Sequence, residues 1–409
     1  MTTRVLATLA TAAVALVSVS CARAGSDTSA TAQSGSPCFA KSFRTRIERG
    51  LAGYADVVDI PGISYGIVRG DSLVMSGAIG YADRSARRIA TADTPYNIAS
   101  LTKVFTATLA LMFVEDGVMD LDAPVSKYLP DSVRVPRDAR GGAITLRSLL
   151  THTSGLPSSP PNRRNQKVDG ALDPGIWEAY SISDLYEALA TTKLQSHVGT
   201  QFQYSNYGFA LIGHLVERVA GRPYEQVLRE RLLAPLGMPS TAISLSPAQE
   251  QQLAAFYWAD DTTRTEQRAH ARFGEVAGFI GLTSTVRDLA RFVEAHLDTL
   301  DRTINPVPRT VATHMRQPRR ALPADATSTH DIGFAWFLVT PKRTTGAQTI
   351  VTHSGEVDGH TSGLFLNPAE KIGVVLLQNL GGDDGTAAID HLGFWLTDLA
   401  VAEQHACQS

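Results

Sequence analysis

Asn97-Ile-Ala-Ser100-Leu-Thr-Lys103-Val-Phe-Thr-Ala-Thr-Leu-Ala-Leu-Met-Phe-Val-Glu-Asp-Gly117 is apolar on every side from Ser100 onward. A helix with that pattern is buried all round rather than lying half in water. Gly117 supplies the stop, just after Glu115 and Asp116. Between Asp93 and Glu115 the only charged residue is Lys103. An unpaired ammonium in such a setting is costly, so it needs a partner or a chemical task. Ser100 lies one turn earlier, on the same helix face. A serine in the first turn also meets the positive end of the helix dipole, which favours a developing alkoxide. The pair reads as a nucleophile with its own base. The bland alternative is a lysine that snorkels from a core helix, its stem packed and its head wet. Position favours chemistry, because no other lysine of the chain has a serine three residues before it.

The 409 residues have room for two or three domains, or for one large domain with an insertion. A hydrophobic share of 44% and a charged share of 19% belong to an ordinary globular protein with ample core. A net charge of −3 without a basic stripe points away from nucleic acid as a partner. No His-Glu-x-x-His, Cys-x-x-Cys or Gly-x-Gly-x-x-Gly occurs, so metal and dinucleotide chemistry are not expected.

Residues 1–24 read as a signal peptide: Arg4 forms a short positive region, and Val5 to Val19 is an apolar stretch too short to span a membrane comfortably. Ala22-Arg23-Ala24 fits an ordinary cleavage site. Val17-Ser-Val-Ser-Cys21 reads instead as a lipobox, which would end the signal at residue 20 and place a lipid anchor on Cys21. Residues 25–37 form a Gly/Ser/Thr-rich flexible linker. Both cleavages predict an exported protein of the periplasm or cell envelope, or a secreted one. Cys38 and Cys407 then bracket the folded region 38–409, and an oxidising compartment permits a disulfide between them.

The four-residue spacing of Phe43, Ile47 and Leu51 predicts a first helix over 41–57, followed by a strand pair, 62–69 and 73–81, around the turn Gly70-Asp71. Helices are expected near 145–150, 183–191, 208–220, 224–236 and 285–297, and 157–176 reads as an irregular loop. Strands return at 333–340, 349–353, 362–367 and 372–378, and a helix over 384–406 closes the chain. The expected fold is α+β, a three-layer α/β-type sandwich. Its antiparallel sheet is built from both chain ends and covered by helices, with an all-helical region inserted at about 105–275.

Acyl transfer needs more than a serine and a lysine: a proton must reach the leaving group and an oxyanion must be stabilised. Tyr204-Ser-Asn206, just before a helix, offers a phenol that relays protons and an amide that holds Lys103 or a substrate carbonyl. Alone, it would read as a turn Asn beside a packed tyrosine. His353-Ser354-Gly355 ends an expected strand, where a small residue and a glycine let a substrate amide lie along the sheet edge. His391-Leu-Gly393 has the same spacing but falls inside the terminal helix.

Ser100-x-x-Lys103, Tyr204-x-Asn206 and His353-x-Gly355, in this order and separation, resemble the serine β-lactamase and penicillin-binding-protein superfamily. The closest branch holds class C β-lactamases, D-alanyl-D-alanine carboxypeptidases and related esterases. Leu149 to Leu156, Gln203 to His214 and Gly281 to Arg291 look like the same family, and the resemblance covers about residues 38–400. It implies Ser100 as nucleophile, Lys103 and Tyr204 sharing general base and acid work, and Asn206 positioning substrate. His353, Ser354 and Gly355 would line the substrate strand, and the N–H groups of Ser100 and Glu356 would form the oxyanion hole. It implies no cofactor, and a small-molecule or peptide substrate, which a peptidoglycan-derived peptide would satisfy. Histidine at 353 replaces a more usual lysine, which weighs against β-lactams. Two rivals stand beside this reading. Gly62-Ile-Ser64-Tyr-Gly66 matches the nucleophile elbow of α/β-hydrolases, although strand pattern continues beyond it. A cell-envelope binding protein with idle catalytic groups is the non-enzyme alternative.

Overall fold

The structure, a computed structural model, describes residues 39–163, 167–168, 171–172, 177–258, 266–268, 272–301, 303–342, 348–357 and 359–408. The signal segment, Cys21, the linker and Cys38 lie outside the described residues.

Helix α1 (Lys41–Val58) leads into strands β1 (Gly62–Arg69), β2 (Ser72–Asp83) and the short β3 (Arg88–Ile89). Helix α2 (Thr102–Glu115) follows, then a largely helical stretch that includes α3 (Asn206–Ala220), and then α4 (Val286–Leu297). The chain returns to the sheet with β4 (Arg320–Leu322), β5 (Ser328–Ile332), β6 (Phe337–Pro341), β7 (Ile350–Val357), β8 (His360–Asn367) and β9 (Ile372–Gln378), and closes with α5 (Asp383–Gln408). The main sheet is antiparallel and nine-stranded, in the order β4-β5-β6-β7-β8-β9-β1-β2-β3. β1 pairs with β9 from Ile63↔Gln378 to Arg69↔Ile372, so the two chain ends join at the centre of the sheet.

Alternation along β9 explains the layers. Ile372, Val374 and Leu376 pack with Phe43, Ile47 and Leu51 of α1 and with Ile389, Leu392 and Leu396 of α5. Val375 and Leu377 belong to the opposite core with Val286, Leu289, Phe292 and Val293 of α4. A strand covered on both faces is apolar throughout, as this one is. α2 is buried from Thr102 to Phe113. Its threonines are satisfied internally: the Thr108 hydroxyl donates to the Val104 carbonyl at 2.7 Å and meets His296 Nε2 at 3.0 Å.

Two expectations change. The inserted region is not purely helical: short strand pairs form at Lys167–Val168 with Ala171–Leu172 and at Phe256–Trp258 with Glu266–Arg268. Its apolar side chains share one core with α2, α4 and the inner sheet face. The strand expected from Gly333 starts at Phe337, because Phe334, Ala335 and Trp336 are fully buried in a turn that folds into the core. Ala335 adopts φ +64° there.

Candidate active site

The turn before α2 is held by three partners from outside and one hydrogen bond within it. The Ile98 N–H donates to the Leu282 carbonyl at 2.8 Å, and the Ser362 hydroxyl donates to the Ile98 carbonyl at 2.7 Å. The Asn97 N–H donates to His360 Nδ1 at 2.9 Å, and Asn97 Oδ1 accepts the Ala99 N–H at 2.8 Å. Ala99, directly before the nucleophile candidate, sits at φ +48°. A left-handed alanine costs on the order of 1–2 kcal/mol, and such strain persists only where the surroundings over-determine it.

Ser100 lies in the short 3-10 turn Ala99–Leu101 that runs into α2. Lys103 is fully buried, and its Nζ bonds Ser100 Oγ at 2.8 Å and the Phe279 carbonyl at 2.9 Å. No carboxylate partners it among the described salt bridges, and burial pushes its pKa well below the ordinary lysine range. Two aromatic rings flank the nitrogen, Tyr204 at 4.9 Å and Phe279 at 5.5 Å from ring centre. Burial raises the Tyr204 phenol pKa, and a hydrogen bond with Ser100 offsets part of that rise. Ser100, Lys103 and Tyr204 thus form one contact group assembled from positions a hundred residues apart in the chain.

Asn206 is the first residue of α3, capped by Ser205, whose hydroxyl accepts the Gly208 N–H at 3.0 Å. Asn206 Oδ1 is buried with no hydrogen-bond partner among the described residues. The Phe279 carbonyl takes the place beside Lys103 that the sequence reading offered to Asn206. Two glycines bring it there: a Cβ at Gly278 would lie 2.9 Å from the Cα of Gly213 on α3. Only bare backbone allows the 277–279 turn so close to that helix. The stretch beginning at Gly281 was legible as family-like, but a backbone carbonyl has no side-chain signature.

β7 runs on through Val357 rather than ending at His353. β6 pairs only with Ile350, Val351 and Thr352, so its ladder with β7 stops before His353. His353 and Gly355 face the Ser100 turn, two residues apart as strand alternation requires. A Cβ on Gly355 would lie 2.6 Å from Ser100 N and 2.6 Å from the Ile98 carbonyl. Glycine is what lets the strand backbone touch the nucleophile turn. Ser354 turns to the opposite face, where it hydrogen-bonds Asp390 of α5, a carboxyl whose pKa burial raises to about 6. Glu356 lies on that same alternation, so only its backbone can serve the site.

His353 Nδ1 lies 2.6 Å from the Ser354 carbonyl. A carbonyl can only accept, so Nδ1 carries the proton and the buried Nε2 presents a lone pair. Burial and the neighbouring Lys103 hold the ring neutral, with its pKa lowered to about 3. Arg163 stacks over Trp177 at 5.1 Å, and the Trp177 ring lies 4.7 Å from Phe279. Aromatic contact therefore holds the Arg163 guanidinium along the wall that Phe279 forms beside Lys103.

Ser64 is fully buried in mid-sheet, paired on both sides with Leu377 and Ala78. Its hydroxyl donates to the Thr91 carbonyl at 2.8 Å and meets Tyr96 Oη at 3.0 Å. It sits on no elbow, which removes the α/β-hydrolase reading.

The beta-lactamase family profile matches residues 47–393. The chain belongs to the beta-lactamase family. Among curated relatives, protein flp of Staphylococcus aureus (strain MW2) is 26% identical over 335 residues, 81% of this chain and 62% of flp. The chain thus spans less than two thirds of that relative's length. D-alanyl-D-alanine-carboxypeptidase/endopeptidase AmpH of Escherichia coli (strain K12) is 30% identical over 292 residues, 70% of this chain and 71% of AmpH. Among solved structures, an octameric penicillin-binding protein homologue from Pyrococcus abyssi superposes with TM-score 0.73 at 25% identity, covering 88% of this chain and 77% of its own. A beta-lactamase/D-alanine carboxypeptidase from Yersinia pestis shares the fold, with TM-score 0.71 at 20% identity, over 88% of this chain and 99% of its own. Within this beta-lactamase fold, the antiparallel sheet and its covering helices place the three sequence motifs at one junction.

Proposed function

We propose that this protein is an exported serine hydrolase that works through an acyl-enzyme on Ser100, with esters and peptide-like amides as substrates. The observation that carries the reading is the 2.8 Å contact between Ser100 Oγ and a fully buried Lys103 that meets no carboxylate among the described residues. A desolvated lysine favours its neutral amine, which is a competent base at neutral pH. Lys103 Nζ takes the Ser100 proton as Oγ bonds the substrate carbonyl carbon. The N–H groups of Ser100 and Glu356 stabilise the oxyanion. Tyr204, kept protonated by its raised pKa, delivers a proton to the leaving oxygen or nitrogen as that bond breaks, and recovers one from the Lys103 ammonium. Water then attacks the acyl-enzyme along the same relay. The edge of β7 beyond its ladder with β6, and Asn206 Oδ1, which has no partner among the described residues, suit a substrate bearing amide groups, including D-amino-acid peptides derived from peptidoglycan.

The lone pair at His353 Nε2 disfavours a substrate carboxylate near it, so strongly anionic β-lactams should be poor substrates. Expected are ready turnover of short-chain p-nitrophenyl esters, slow or no turnover of a chromogenic cephalosporin, loss of both in Ser100→Ala, and retention of most activity in Ser64→Ala. His353→Lys should raise the cephalosporin-to-ester ratio of kcat/KM. A wild type with the higher kcat/KM on the cephalosporin overturns the substrate assignment. Full activity in Ser100→Ala overturns the mechanism, and a well-folded wild type inert towards every substrate class would favour the binding-protein alternative.

A further inference from the structure

The stretch Leu149 to Leu156 contains a histidine to which the chemistry above gives no role. His152 is buried, and its backbone adopts φ +54°, a conformation uncommon for side chains other than Asn, Asp and His. It closes the short helix Leu146–Leu150, with its own N–H donating to the Leu149 carbonyl at 3.1 Å. From this anchored turn it grips the loop that carries Tyr204 in three ways. The Gln203 N–H donates to the His152 carbonyl at 2.7 Å, and the Ser205 N–H donates to His152 Nδ1 at 3.0 Å. The imidazole also lies on the Tyr204 ring, with centroids 4.4 Å apart and planes inclined by 30°. The residues on either side of Tyr204 are therefore bonded to the same histidine that supports its ring.

We propose that His152 is the positioning residue for Tyr204, holding the phenol at Ser100 through an unprotonated Nδ1 and a ring face. The Ser205 N–H can be accepted only by a bare nitrogen, so the working tautomer carries its proton on Nε2. Protonation of Nδ1 would break that bond. Burial, with Lys103 and His353 nearby, lowers the ring's pKa well below the usual histidine value and keeps Nδ1 bare. The ring is wedged further by Phe209 at 5.0 Å and Phe202 at 5.8 Å, so it cannot swing away from the loop. A proton donor misplaced by even ~1 Å loses about two orders of magnitude in rate, which makes this grip matter for turnover.

This inference rests on the hydrolase reading for its rate effects, and its test carries a readout that does not. Asparagine tolerates the left-handed backbone and offers Oδ1 near the place of Nδ1. His152→Asn should therefore keep the loop bond, whereas His152→Ala loses both bond and ring. Expected is a fall in kcat of about 10–100-fold for His152→Ala on a p-nitrophenyl ester with KM little changed, and recovery of much of it in His152→Asn. In a Tyr204→Phe background His152→Ala should cost almost nothing more, because groups acting as one unit are non-additive. Crystal structures of the two single variants should show the 203–205 loop shifted from Ser100 in His152→Ala and in place in His152→Asn. Equal losses in both variants that add fully to Tyr204→Phe, or an unmoved loop in His152→Ala, would overturn the proposal. Should the wild type prove inert, the loop positions alone decide it. Should His152→Ala fail to fold, His152→Asn and His152→Phe make the same comparison, one keeping the acceptor and the other the ring.

Discussion

Single residues in this protein act through desolvation more than through charge pairs. Lys103, Tyr204, His353 and His152 have no carboxylate among the causes of their shifts, and burial is the leading cause in each. Asp390 is the acidic counterpart, raised to about 6 by burial with the Ser354 bond opposing. Its folded pKa exceeds the unfolded value, so between about pH 4 and 6 the folded state binds more protons than the unfolded one. Stability from this group is full below that window and falls as pH rises through it. Asp390→Asn should flatten the pH dependence across pH 4–6 and stabilise the protein at pH 8 by on the order of 1–2 kcal/mol, provided the amide keeps the Ser354 bond. Urea denaturation at pH 4, 6 and 8 measures it; a variant that is less stable at pH 8 would contradict the assignment.

At the scale of elements, two close backbone approaches build the site: β7 against the Ser100 turn, and the 277–279 turn against α3. Both depend on missing Cβ atoms. Gly355→Ala would force a methyl to 2.6 Å from Ser100 N, with backbone rather than a flexible side chain in the way. Because the strand and the turn are each tied into larger elements, relief must come from their separation. We expect kcat/KM to fall by about 100-fold or more while the melting temperature drops by only a few degrees. Unchanged kinetics in a folded Gly355→Ala protein would show that β7 does not border the reacting atoms.

At the scale of the whole molecule, the two chain ends are tied on the outer face of the sheet. Arg46 of α1 pairs with Glu403 of α5 at 2.9 Å, and Arg69 Nε donates to Gln404 at 2.9 Å. Arg69 also lies over the Phe39 ring at 6.0 Å, which places the start of the described chain beside the end of α5. Cys407 is disulfide-bonded, and its expected partner Cys38 adjoins Phe39. A Cys38–Cys407 bridge closes nearly the whole domain into one loop and should contribute roughly 2–5 kcal/mol. Peptide mass mapping of protein exported to an oxidising compartment should find the linked pair, and reduction should lower the melting temperature. Two free thiols in such material would reject it.

The sequence alone determined what local pattern can carry. The all-round apolar helix after Ser100, the period of α1, the doubly buried β9 and the Gly70 hairpin each follow from side-chain spacing, and the family resemblance rested on three short motifs in order. β4 and β5 escaped because Arg-Ala-Leu and Ser-Thr-His-Asp-Ile are short strands at one end of the sheet, each with a single buried apolar residue and little apolar alternation to detect. Tertiary structure decided what depends on backbone from distant segments. The Phe279 carbonyl beside Lys103, the turning of Ser354 away from the site and the tautomers of His152 and His353 were not legible. Hydrogen-bond direction and solvent exclusion belong to the packed molecule, and residue types in order do not encode them locally.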